Sequence, residues 1–88
     1  MILLVLACAP DACDAMCDAG LGRYEACMEE RGLDWGLAYR DEVDWRNWCD
    51  TVSWEWRRLD EADRCEANLR TFAEGTCEEY DAAWSSSN

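Results

Sequence analysis

Seven cysteines, Cys8, Cys13, Cys17, Cys27, Cys49, Cys65 and Cys77, are the side chains of this 88-residue chain best suited to chemistry. A thiol can bridge, ligate a metal, carry a lipid or act as a nucleophile, and its surroundings decide which. There is no histidine, so the commonest general base and the commonest zinc ligand are both missing. Cys-His and Ser-His-Asp catalysis and Cys2His2 zinc sites are thereby excluded. Zinc and iron–sulfur sites built on cysteine alone use tight C-x2-C pairs. Here Cys13 and Cys17 are separated by three residues, and the later gaps are 9, 21, 15 and 11 residues. No metal and no cofactor is expected, which leaves disulfides as the main reading.

The 20 Asp and Glu residues offer carboxylates for acid–base work or for calcium. Calcium needs several oxygens converging from one tight loop; Asp11 and Asp14 instead fit a helix, and no D-x-D-x-D-G loop occurs. A solvated anionic face accounts for these acids. All eight basic residues are Arg and the net charge is −12, so nucleic acid is repelled. The expectation is a protein that is not an enzyme.

The elements that position these cysteines are helical throughout. Asp11, after Pro10, reads as an N-cap, and Gly32 as the residue just past the helix end. Between them Cys13, Met16, Cys17, Gly20, Tyr24, Cys27 and Met28 recur at three- and four-residue steps and share a face. Gly20 and Gly22 each weaken this helix by about 1 kcal/mol relative to Ala, so a bend or outside support is expected there. A linker over 33–40 leads to a second helix from Asp41 to Leu59, striped with Trp45, Trp48, Cys49, Val52, Trp56 and Leu59. Carrying its phase onward would bury Glu66 rather than Cys65, which predicts a break near Asp60. A third helix from Asp60 to Glu74 follows, with Ala62, Cys65, Leu69 and Phe72 inward. Gly75 stops it, and Thr76-Cys77-Glu78-Glu79 matches a capping box for a short last helix carrying Cys77, Tyr80 and Trp84. Residues 85–88 are expected to fray. The fold class is all-α: a small disulfide-stapled bundle of three helices plus a short C-terminal one, forming a single domain over residues 8–88.

Axial heights in such a bundle, at about 1.5 Å per residue, select partners for the cysteines. Cys13 lies low beside Cys65, Cys17 and Cys49 are at middle height, and Cys27 and Cys77 are near the top. The favoured pairs are Cys13–Cys65, Cys17–Cys49 and Cys27–Cys77. A rival set keeps Cys27–Cys49 across the first hairpin, with Cys13 and Cys17 taking Cys65 and Cys77. Each bridge adds about 2–4 kcal/mol, comparable to the whole stability of a domain too small for a large core.

Cys8 stands apart. Residues 1–7 are an unbroken apolar run, too short to span a membrane and like the end of a secretory leader. Val5-Leu6-Ala7-Cys8 resembles a lipobox, the cleavage and acylation site of bacterial lipoproteins. The resemblance implies that Cys8 becomes the lipidated first residue and that the chain is anchored to a membrane through that lipid. Residues 1–7 would then be a truncated signal-peptide-like segment, which leaves open whether Met1 is the true start. Setting Cys8 aside leaves six cysteines, an even number for three bridges. The chain as a whole resembles the small cysteine-rich helical lipoproteins of bacteria, which implies an exported protein at the outer membrane or cell surface; free secretion or a periplasmic location is the alternative.

Tryptophan supplies the last candidates. Trp45, Trp48 and Trp56 share the cysteine face and read as core. Trp54 points the other way beside Arg57 and Arg58, and Trp35 lies in the linker. Trp and Arg dominate the energetic centres of protein interfaces, so Trp35, Trp54, Arg57 and Arg58 form the candidate contact patch for an envelope or extracellular protein. A free secreted effector, toxin or inhibitor is the alternative role.

Overall fold

The computed structural model describes residues 11–86, and every regular element among them is a helix. The apolar segment 1–7 and the lipidation candidate Cys8 lie outside the described residues. The helices are α1 (Ala12–Glu30), α2 (Glu42–Arg58), α3 (Asp63–Glu74) and α4 (Cys77–Ser86).

Local chemistry fixes where each helix begins and ends. The Asp11 and Asp41 carboxylates accept the N–H groups of Asp14 and Asp44, each at 2.9 Å, and cap α1 and α2. Helix α1 closes in a Schellman motif: Gly32 N–H donates to the Glu29 carbonyl and Leu33 N–H to that of Met28, with Gly32 left-handed at φ 68°. Helix α2 ends in the same way. Asp60 N–H donates to Arg57 and Glu61 N–H to Trp56, and the left-handed position is taken by Asp60, at φ 60°. A residue so placed cannot continue a helix, and this is the physical form of the break expected from the phase of the cysteines. The α4 capping box forms in both directions: Thr76 Oγ1 accepts from Glu79 N–H, and Glu79 Oε1 accepts from Thr76 N–H.

Three sequence expectations need correction. Helix α3 begins at Asp63 rather than Asp60, because Asp60 and Glu61 are consumed in the turn that ends α2. Leu59 and Ala62 are exposed rather than inward, since both sit at this corner and not within a helix stripe. The α4 backbone stays helical to Ser86, past the expected fraying point at Ser85.

Helix α1 is the hub of the bundle. It packs most extensively on α3, then on α2, and also touches α4. The disulfides follow the same geometry: Cys13–Cys65 ties α1 to α3, Cys17–Cys49 ties it to α2, and Cys27–Cys77 ties it to α4. These are the pairs that axial height favours. Between the bridges lies a core of Met16, Trp45, Trp56, Phe72 and Tyr80, with the rings in a continuous tilted network that also takes in Trp48 and Trp84. The helix runs unbroken past Gly20, so the expected weakness is met by support, not by a bend. A methyl group there would lie 3.0 Å from Trp45 Cη2 and 3.2 Å from Phe72 Cδ2; glycine lets two large rings lie against the α1 backbone.

Candidate functional site

With α2 stapled to α1 through Cys49 and buried along Trp45, Cys49, Ser53 and Trp56, its opposite face is fixed toward solvent. Trp54 stands on that face and is 60% exposed, the most exposed tryptophan among the described residues. Burying an indole normally contributes about 1.5–3 kcal/mol or more, so a rigidly presented one is an available binding surface. Arg58, one turn on, lays its guanidinium over the Trp54 ring at 5.8 Å from the centroid and pairs with Glu55. That pairing holds the Glu55 carboxyl below the usual carboxylate range. Beside the ring, Asn47, Asp50, Thr51 and Trp54 line a shallow groove of about 400 Å³. The Thr51 hydroxyl donates to the Asn47 carbonyl at 2.9 Å, and Val43 extends the same face, also exposed.

The other two patch candidates go elsewhere. Arg57 turns to the start of α1 and grips Asp11, with Nη2 at 2.8 Å from both carboxylate oxygens and Nε at 3.2 Å from Oδ2. Its charge is answered there and by Asp14 at 3.5 Å; it closes the bundle and does not join Trp54. Trp35 folds back onto the core, half-buried, with its ring 5.4 Å from that of Tyr24. Linker aromatics pack inward in this chain because a core this small lacks apolar area, and Tyr39 does the same against Tyr24 and Trp48.

Sequence reasoning passed over Asn47, Asp50 and Thr51. They stand seven, four and three residues before Trp54, the spacing that places residues on one helix face, so the signal is present in the sequence. Arg23 was also passed over. It reaches across to donate to the carbonyls of Phe72 and Ala73 at 3.1 and 3.2 Å, placing a cation on the C-terminus of α3, where the helix dipole favours one. No short sequence pattern marks a contact of that range.

A second cluster sits at the top of the bundle. Cys27, Glu30 and Cys77 bring two sulfurs and a carboxylate within 4.8 Å of one another, and Glu30 Oε2 lies 2.9 Å from Cys77 Sγ. Both sulfurs are spent in the Cys27–Cys77 bridge and offer no thiolate, so the cluster is a covalent staple with an anion beside it. No known protein family, curated protein or solved structure matches this chain.

Proposed function

We propose that the chain is a non-catalytic, exported binding module of the envelope or cell surface, anchored by a lipid on Cys8, that contacts another protein through Trp54 and Arg58. The observation that carries this reading is the exposure of Trp54 on a helix whose other face is locked. Presenting a large indole to water gains nothing for folding, and an ordered aromatic with an adjacent Arg is the composition of an interface centre. The three bridges support export, because protein disulfides persist in oxidising compartments. The lipobox-like Val5-Leu6-Ala7-Cys8 supports the anchor.

Two measurements test it. Trp54→Ala should leave the helical circular dichroism and the three bridges intact while abolishing a cross-link formed from position 43, exposed on the same face, to a partner in intact cells. A cross-link of undiminished yield would refute the contact surface. For the anchor, intact mass of protein expressed with an upstream extension should lack everything before Cys8, carry acyl chains and retain six cysteines resistant to alkylation. A mass that retains Met1 with alkylatable thiols would overturn both export and the staples, whereas a processed chain with Cys8 unmodified would favour a freely secreted protein.

A further inference from the structure

We infer that the groove beside Trp54 receives a cationic side chain, a guanidinium or an ammonium group, from the protein that docks on this face; the inference rests on the contact reading above. Four residues line the groove, and each supplies something a cation requires. Trp54 offers the face of an indole, the aromatic ring that attracts cations best, and it already holds one guanidinium from its own chain, that of Arg58. Asp50 supplies the countercharge. It is exposed and forms no ion pair among the described residues, whereas the neighbouring Arg46 and Arg58 are committed to Asp18 and Glu55. The Asn47 amide oxygen and the Thr51 hydroxyl oxygen add acceptors that can take the remaining N–H donors of a planar guanidinium.

Long-range charge points the same way. At −12 overall, the chain repels anionic partners and draws cationic ones toward any exposed carboxylate. An apolar partner surface would cover the indole but strand the Asp50 carboxylate against it, which costs free energy unless the charge is paired. A partner that places an Arg or Lys in the groove covers the indole and satisfies the carboxylate together.

The test uses two nine-residue peptides that differ only in having three arginines or three citrullines, the uncharged isostere. Each is titrated into the folded, oxidised chain at about 150 mM salt, and the Trp54 indole N–H resonance, assigned by its absence in Trp54→Phe, is followed. The arginine peptide should shift that resonance and bind about tenfold more tightly than the citrulline peptide. Asp50→Asn should weaken it about three- to fivefold, while Glu66→Gln, an equal loss of charge outside the groove, should change it less than about twofold. Equal binding of the two peptides, equal losses in the two variants, or a silent Trp54 resonance would each overturn the cation site. That failure is separable from failure of the contact reading: a cross-link in cells that depends on Trp54 but not on Asp50 refutes the cation site alone, and one that does not depend on Trp54 refutes both.

Discussion

The Arg57 guanidinium at the end of α2 grips the carboxylate of Asp11, the residue that caps the start of α1. One carboxylate thus serves two elements, accepting the orphan Asp14 N–H of α1 and fastening α2 across it. Asp11→Ala removes both roles and should cost about 1–2 kcal/mol. Asp11→Asn keeps a cap and loses the exposed ion pair, so about 0.5 kcal/mol is expected. The Asp14 N–H, and after it Arg57, hold the Asp11 carboxyl below its ordinary value. This contribution is therefore fully present above the ordinary carboxylate pKa of about 3.9 and is lost as pH falls through the lower folded value. Urea unfolding with the bridges intact should show a shallower acid limb in Asp11→Asn than in the parent chain; identical limbs would mean the pair contributes nothing.

The two glycines of α1 should respond oppositely to the same change. At Gly20 a new methyl meets Trp45 and Phe72, both fully buried and unable to yield, so Gly20→Ala should destabilise by about 1–3 kcal/mol despite the better helix former. At Gly22 the same atom meets nothing within 4 Å, and Gly22→Ala should stabilise by up to about 1 kcal/mol. Thermal unfolding of the two variants checks this, and a gain at both positions would mean that Trp45 and Phe72 are less tightly seated than they are described.

This contrast also marks how far the sequence could be read. Helical periodicity, the Asp11, Gly32 and Gly75 signals and the Thr76–Glu79 capping box are local, and the helix ends they mark formed where they place them; the start of α3, which has no side-chain cap, lies three residues later than its periodicity suggests. The cysteine pairs were legible because axial height in a bundle constrains them, and the phase conflict between Trp56 and Cys65 located the turn at Asp60. The fate of single side chains at corners was not legible. Leu59 carries the helical phase yet falls on the cap, where a side chain leaves the stripe. Arg57 and Arg58 are adjacent in sequence but lie about 100° apart around α2, so one meets α1 and the other stays with Trp54. Trp35 was misplaced because a linker's path depends on which tertiary contacts it finds, here Tyr24, and no period records them.

The three bridges should open in a fixed order. Cys13, Cys65, Cys17 and Cys49 are at most 2% exposed, whereas Cys77 is partly exposed in an open groove with Glu30, Arg31, Thr76 and Glu78. Exchange requires an attacking thiolate to reach a sulfur, so a limiting dithiol should reduce Cys27–Cys77 first. The Glu30 carboxylate beside Cys77 Sγ repels that thiolate, and Glu30→Gln should speed this first step about fivefold, the factor for roughly 1 kcal/mol between nearby charges in water. Timed alkylation with mass spectrometry gives the order. Simultaneous opening of all three bridges would show that reduction follows global unfolding instead of local access.

Tyr80 should set the alkaline limit of the fold. Its ring is buried against Phe72 and Trp84, and burial pushes its phenol well above the ordinary value of 10.0. The native state therefore favours the neutral phenol. Above about pH 10 the unfolded chain releases this proton while native Tyr80 keeps it, so stability declines with rising pH by roughly 1.4 kcal/mol per unit from this group. Tyr24 and Tyr39 are raised for the same reason and are less deeply placed. Absorbance at the phenolate band should show Tyr80 ionising only together with loss of near-ultraviolet circular dichroism. Tyr80→Phe keeps the ring and has no proton to lose, so its alkaline unfolding midpoint should move to higher pH; an unchanged midpoint would place the alkaline weakness elsewhere.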